Sequence, residues 1–365
     1  MKIESFTLKQ FRNYDEARFD FSPGTNVIVG ENAQGKTNLL EGIYYLTGGR
    51  SFRGVKDREL IMRDRDAGLI AAEVTAENRA FQLEVHLSAQ GRRRILCNKV
   101  PLKTLKDLSG RVRAVLFSPD DLRLVKEGAA ERRRFMDLCF SQLRPRYHDV
   151  LMTYNRVRDH KLRILKDGGG LLPMLETFNS QMAELGAILI GYRALFLDKL
   201  SLYASKLHTD ISGGRETLSI RYNTVSSIED PRAPVPELRA AILRHMESHG
   251  EAELRSGSCL SGPHKDDLDI FIDRQPAKIY ASQGQMRTAA LALKLAEREL
   301  FAADTGEDPL LLLDDVLSEL DPRRRDFVLN KIGDGQVFIT LCNPEEIQGF
   351  EGKTFVITDG RQGGS

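Results

Sequence analysis

Cysteine is scarce: Cys97, Cys139, Cys259 and Cys342 are the only four in 365 residues, and no CxxC pair occurs. A zinc site of the usual spacing and a disulfide scaffold are both excluded. Long apolar runs are missing too, since no stretch approaches the ~20 residues a membrane span needs. Met1 to Asp20 alternates polar and apolar residues and lacks the apolar core of a signal peptide. A reduced, cytoplasmic protein with no membrane partner is expected. An excess of either charge is absent: 53 Lys and Arg stand against 52 Asp and Glu, a net of +1. That speaks against a uniformly basic coat but says nothing of local patches. His245 and His249 are four apart, yet "HMESH" is not the HExxH zinc pattern. No Ser/His/Asp or Cys/His set has recognisable spacing.

What is present is ordinary globular composition, 41% hydrophobic and 29% charged, in a chain long enough for two or three domains. Ile3 to Leu8, Ala17 to Phe21 and Thr25 to Val29 read as strands, and Asn38 to Leu46 as a helix. Leu69 to Val74 and Ala80 to Leu87 read as antiparallel strands turning at Glu77 and Asn78, with further strands at Arg93 to Cys97 and Val112 to Phe117. Helical spacing then takes over, from Arg123 to Leu165 and from Leu171 to Leu207, broken by Gly168, Gly169 and Gly170. Leu175, Phe178, Met182, Leu185, Ile188 and Leu189 form one apolar face of the second helix. Another helix is expected over Pro236 to Gly250, a strand at Leu268 to Ile272 and a helix from Gln285 to Phe301. Strands follow at Pro309 to Leu313, Val337 to Leu341 and Thr354 to Ile357. The order predicts an α/β domain of residues 1–120 with 261–365, split by a mainly helical insert, 121–260.

Gly30, Glu31, Asn32, Ala33, Gln34, Gly35, Lys36 and Thr37 fit G-x-x-x-x-G-K-[ST] between a β-branched strand and a helix pattern. Glycines let backbone amides curl around phosphate oxygens, and the next helix offers its N-terminus. Lys36 suits the β- and γ-phosphates of ATP, and the Thr37 hydroxyl suits Mg²⁺. Read without a ligand, the same stretch is a glycine-rich strand–helix turn. Four leucines, Leu310 to Leu313, then lead a buried strand into Asp314 and Asp315. Asp314 is the candidate for the Mg²⁺ shell. Asp315 is the candidate base that orients attacking water.

Between these motifs, Ala281 to Arg287 (ASQGQMR) opens a strongly helical segment, and Leu317 to Asp321 (LSELD) follows the acidic strand. Taken alone, Ser282, Gln283 and Gly284 are a helix cap and turn. In this order they resemble the signature motif and D-loop of ABC-type ATPases, in the variant of the RecF and SMC-like branch. Phe11 to Tyr14 (FRNY), Leu116 to Asp137 (LFSPDDLRLVKEGAAERRRFMD) and Ser261 to Leu268 (SGPHKDDL) narrow the likeness. The whole chain resembles the RecF family of bacterial DNA replication and repair proteins. The resemblance implies an ABC/SMC-like ATPase head with a mixed sheet and a helical arm. It also implies a weak ATPase in which Ser282, Gly284, Gln285 and Asp321 meet the nucleotide of a second subunit. ATP would close a homodimer on DNA, preferably duplex beside single strand, and hydrolysis would open it. The implied role is recombinational repair, fork maintenance and SOS support, with RecR and RecO helping RecA load on SSB-coated single strands. A transporter ATPase subunit and a P-loop metabolite kinase are the rival readings.

The chain departs from the family pattern in places. Asp315 stands where ABC-type enzymes commonly have Glu, Met286 where Gln is frequent, and Lys265 where the family has Arg. Lys265 keeps the charge without the bidentate fork. Thr340 to Asn343 occupies the region where ABC proteins often carry a switch His. Local charge favours a nucleic-acid partner: Gly91 to Arg113 holds eight basic residues (Arg92, Arg93, Arg94, Lys99, Lys103, Lys106, Arg111, Arg113) and one acid. Asp121 to Lys166 holds twelve basic residues and six acids, densest at Arg132, Arg133 and Arg134 and at Arg156, Arg158, Lys161 and Arg163. Each cluster alone is compatible with a solvated face; together they suit a phosphate backbone. Few aromatics interleave, which favours duplex over base stacking on single strands.

Overall fold

Alternating burial along Lys2–Phe11 makes β1, and Arg12, in the left-handed region at φ 53, turns the chain into β2 (Tyr14–Asp20). The computed structural model describes residues 1–103, 107–167, 172–331, 335–343 and 352–363. The apolar run Thr25–Val29 is β3, followed by α1 (Lys36–Tyr45) and the short α2 (Asp57–Leu60). Glu77 and Asn78, at φ 50 and 58, form the tight turn between β4 (Ala67–Ala76) and β5 (Arg79–Ser88). β6 (Arg94–Cys97), β7 (Val100–Pro101) and the fully buried β8 (Ala114–Phe117) complete this part.

Helices then dominate. α3 (Arg123–Lys126), α4 (Ala129–Leu143) and α5 (Pro145–Asp167) precede the 38-residue α6 (Leu175–Ser212). The glycine break expected at Gly168 to Gly170 lies outside the described residues, as do Leu171 and Lys106. Of the apolar face expected on α6, Met182 and Leu189 are buried, whereas Leu175, Phe178, Leu185 and Ile188 are only half-buried. The buried side turns through Gly186, Ala187, Ile190 and Ala194, where small residues permit close packing. A Cβ on Gly186 would lie 3.0 Å from the Pro263 ring. β9 (Leu218–Asn223), unmarked in the sequence, precedes α7 (Val235–Ser256). β10 (Asp267–Ile272) and β11 (Gln275–Pro276) lead to α8 (Ala277–Tyr280) and α9 (Gln283–Thr305).

The chain returns to sheet with β12 (Leu310–Asp314), then α10 (Pro322–Lys331), β13 (Val337–Leu341), β14 (Lys353–Thr358) and β15 (Arg361–Gln362). β14, β3, β13, β12 and β8 pair in parallel, in that order, with β15 antiparallel at the edge. Every residue of β12 and β13 is buried, as expected for inner parallel strands covered on both faces. A second, antiparallel sheet runs β2-β1-β4-β5-β6-β7. Phe21 joins the two, meeting Phe338 and Phe355 edge-on with ring centroids 4.7 and 5.4 Å away. The Gln336 amide exchanges hydrogen bonds with the Ile3 backbone at 2.7 and 2.8 Å.

The chain divides into two compact units, Met1–Asp121 with Glu297–Ser365, and Leu122–Ala296. One junction falls between Asp121 and Leu122 and the other inside α9, and the pairing of β10 along its length with β9 keeps β10 in the helical unit.

Candidate nucleotide-binding site

Gly30 closes β3 where there is no room for a side chain: a Cβ would lie 2.4 Å from the Ile357 carbonyl oxygen. Gly35 caps α1 at φ 117, a conformation open to glycine, with the Asn13 amide 2.7 Å from where a Cβ would sit. The hairpin FRNY builds the loop's outer wall. Asn13 Nδ2 donates to the Gln34 carbonyl at 2.8 Å and Tyr14 OH to the Gly35 carbonyl at 2.9 Å. Arg12 grips the buried Glu41 carboxylate of α1 through two bonds of 2.8 Å, so hairpin and helix are clamped together. Gly360 and Asp359 donate their amides to Gln34 from the far side. The mechanical role of FRNY is to hold the loop.

Lys36 is buried, and its ammonium donates to the carbonyls of Gly30 and Glu31 at 2.7 and 2.9 Å. The loop therefore curls around a positive charge. One residue on, Thr37 Oγ1 donates to Asp314 Oδ1 at 2.9 Å. Thr340 Oγ1 reaches the same oxygen at 3.0 Å and accepts the Asp315 amide at 2.9 Å. Burial pushes the Asp314 carboxyl up from the ordinary range; the Thr37 and Thr340 hydroxyls oppose this and Asp315's charge adds to it. Asp315 turns out of the strand at φ 52, which frees its carboxylate from the sheet. Cys342 Sγ lies 3.0 Å from Asn32 Oδ1, 3.5 Å from Lys36 Nζ and 3.7 Å from Asp315 Oδ1. The segment Thr340 to Asn343 is thus built into the site, with a hydroxyl on both aspartates and a thiol beside the lysine. No sequence signal separates Thr340 from any other β-strand threonine.

In the helical unit, Ser282 and Gln285 form a reciprocal capping box at the start of α9. The Gln285 amide donates to Ser282 Oγ at 3.2 Å, and the Ser282 amide to Gln285 Oε1 at 2.8 Å. Ser282 is exposed and Gly284 half-buried. Back in the head unit, Asp321 caps α10 by accepting the Arg324 amide at 3.1 Å and pairing with its guanidinium. What burial there is works against this carboxylate, but Arg324 outweighs it and holds Asp321 below its ordinary pKa. Among the described residues, no group of three or more His, Cys, Asp or Glu is arranged to hold a metal. Thr37 and Asp314 offer a hydroxyl and a carboxylate side by side, a hard oxygen pair that suits Mg²⁺ retaining most of its water.

The basic clusters separate into two kinds. Arg132 is buried in a bidentate pair with Asp267 at 2.7 and 2.8 Å, and Arg133 donates to the Asp266 carbonyl. Lys161 is buried against Glu253 at 2.5 Å. In the head unit, Arg113 is buried beside Glu77 and Glu307, and Arg93 is tied to Asp57. These side chains are held by partners within the fold, so only part of each cluster faces solvent. Arg156 and Arg163 remain exposed in one unit, and Arg92, Arg94, Lys99, Lys103 and Arg111 in the other. Lys265 is exposed as well.

Residues 2–362 match the RecF/RecN/SMC N terminal domain. A DNA replication and repair protein RecF from Alkaliphilus oremlandii is 38% identical over 95% of this chain and 95% of its own length. Its counterpart from Symbiobacterium thermophilum is 40% identical over 95% and 93%. The chain belongs to the RecF family. A solved structure of the recombination mediator protein RecF with ATPrS, in the RecFOR pathway, superposes with a TM-score of 0.93 at 35% identity, over 99% of this chain and 97% of that one. The Smc head of Pyrococcus furiosus, at 17% identity and a TM-score of 0.57 over 99% of this chain and 94% of that one, shares the fold. The α/β head with a helical insert is therefore that of the RecF and SMC group. Membership in the RecF family removes the grounds for a transporter subunit or a metabolite kinase. Among the described residues, no helix is long and apolar enough to cross a membrane.

Proposed function

We propose that the chain is an ATP-dependent DNA-binding protein of recombinational repair and fork maintenance, with weak ATPase activity. The observation that carries this reading is the hydrogen bond between Thr37 and Asp314, beside a buried Lys36 held in the loop. ATP is supported as ligand by the solved structure of a RecF–ATP complex, which is 36% identical and covers 99% of this chain and 98% of that one. Lys36 supplies the charge for the β- and γ-phosphates, and the amides of Gly30 to Thr37 supply donors. Thr37 and Asp314 would hold Mg²⁺, which when bound neutralises charge developing on the phosphates. Asp315 orients the attacking water, and Thr340 fixes the backbone from which Asp315 projects. Catalytic roles thus fall to Lys36, Asp314 and Asp315.

The start of α9, with the exposed Ser282 and the half-buried Gly284 and Gln285, completes together with Asp321 the nucleotide site of a second copy. ATP closes the homodimer on duplex DNA next to single strand, and hydrolysis releases it. The pathway named for the solved relative supports RecR and RecO as partners, with RecA loading on SSB-coated DNA and SOS induction downstream. Sedimentation with ATP and Mg²⁺ tests the core of this reading. Monomer should become dimer, and Ser282→Arg should prevent that while ATP still binds. A chain that stays monomeric with saturating ATP overturns the clamp.

A further inference from the structure

A cleft of about 420 Å³ opens in the head unit, away from the phosphate loop's residues, between the segment after β5 and the segment after β7. Arg92, Arg93 and Lys103 line it with a single acid, Asp57, and with the apolar side chains of Ile95 and Leu102. Arg93 is the fixed element. Its guanidinium donates to the Tyr45 hydroxyl and the Gly49 carbonyl, and pairs with Asp57 at 3.3 Å. Asp57 also accepts from Tyr45 OH at 2.9 Å, so its charge is already committed on two sides. Arg93 nevertheless stays 24% exposed, open to a ligand that needs no rearrangement of the arginine. Arg92 and Lys103 stand free in solvent on the rim. Arg50 adds to the field: burial first, then the charge of Arg93, lowers its pKa.

We propose that this cleft is a phosphodiester subsite for the backbone of duplex DNA, with Arg93 as its preorganised floor and Arg92 and Lys103 as its closing rim. Three cations against one committed acid select an anion. Apolar walls at Ile95 and Leu102 suit the sugars that flank a backbone phosphate and give a bare ion nothing. The floor sits at the end of α1, since Tyr45 is the helix's last residue and Lys36 its first. One ten-residue helix, roughly 15 Å long, therefore connects the cleft to the phosphate loop. The assignment rests on the DNA-binding reading above and names where in the head that DNA is held.

The test is the salt dependence of binding by the full chain, with ATP and Mg²⁺, to a fluorescein-labelled duplex carrying a single-stranded flank. Removing one cation from a backbone phosphate lowers the slope of log K against log salt by about one. The double variant Arg92→Ala/Lys103→Ala should lose about two from the slope and bind roughly tenfold or more weakly at physiological salt. The control Lys2→Ala/Arg18→Ala, equal in charge change and elsewhere on the head, should keep the wild-type slope. An unchanged slope in the first variant, or an equal loss in the control, overturns the subsite while leaving DNA binding intact. Wild-type protein that fails to bind the duplex overturns the DNA reading itself. Calorimetric titration with inorganic phosphate separates the sources: saturation by phosphate without duplex binding would make this a free-anion site and refute the assignment.

Discussion

Thr37 Oγ1 lies 2.9 Å from Asp314 Oδ1, across 277 residues of sequence. The sheet order explains the meeting. β13 lies between β3 and β12, all three run parallel, and their carboxyl ends emerge along one edge. The loop of residues 30–37 leaves from one of those ends and the aspartate pair from another, where the crevice rule for parallel sheets places ligands.

Replacing Lys36 by Met should remove tight nucleotide binding, because its buried ammonium is the charge around which the loop curls. Two charge-assisted bonds are each worth about 1.5–3 kcal/mol, so a loss of at least a hundredfold in ATP affinity is expected. Fluorescence titration with a labelled ATP analogue measures it, and near-normal affinity would contradict the assignment of the loop.

Asn13→Ala should weaken ATP binding without unfolding the head. It removes the bond to the Gln34 carbonyl and the one received from Asn38 at 2.9 Å. The loop is left tied by Tyr14 and Gly360, and an affinity loss of about tenfold is expected from one to two hydrogen bonds. A matching titration, with the melting temperature taken alongside, distinguishes a loosened loop from a destabilised fold.

Lys161→Met should cost about 3–5 kcal/mol, since it strands the buried Glu253 carboxylate. Adding Glu253→Gln should recover most of that loss, because neither charge then remains unpaired. Urea unfolding of the wild type and the three variants completes the cycle; a mild effect of the single change would argue against a closed pair.

His264 should make stability depend on pH. Its Nε2–H donates to the Cys259 carbonyl at 3.0 Å, which leaves Nδ1 to accept from Tyr154 OH at 2.7 Å. Burial lowers its pKa to about 4; the Cys259 bond opposes this, and the charges of Arg158, Lys265 and Lys161 reinforce it. The unfolded chain therefore binds a proton that the folded chain refuses between pH 6.5 and 4. Stability from this group is complete above pH 6.5 and drains away as the pH falls, by about 2 kcal/mol at pH 5. Chemical unfolding at pH 7 and pH 5 should show that drop in the wild type and a flatter response in His264→Gln.

The head was legible where chemistry constrains sequence locally. The phosphate loop needs glycines and a flanking strand, and Leu310 to Asp314 reads as a buried strand ending in acid without reference to anything else. Thr340 was illegible because its partners, Asp314 and Asp315, reach it only through sheet pairing. β9 is hidden in the sequence for the same reason: LSIRYN is short, and its pairing with β10 is what makes it a strand. The basic clusters are legible only in part, because a guanidinium's partner can lie far along the chain. Arg132 and Asp267 are 135 residues apart.

The position of β3 also sets the timetable of synthesis. Its neighbours in the sheet are β13 and β14, both close to the carboxyl end, so the apolar Val27, Ile28 and Val29 leave the ribosome with no strand to pair with. At roughly 5–20 residues per second, that wait lasts on the order of tens of seconds. The β1–β2 and β4–β5 hairpins close on their own long before. A nascent chain thus carries the complete loop of residues 30–37 in an unfinished sheet, and β3 gains both of its neighbours only after β13 and β14 have been made.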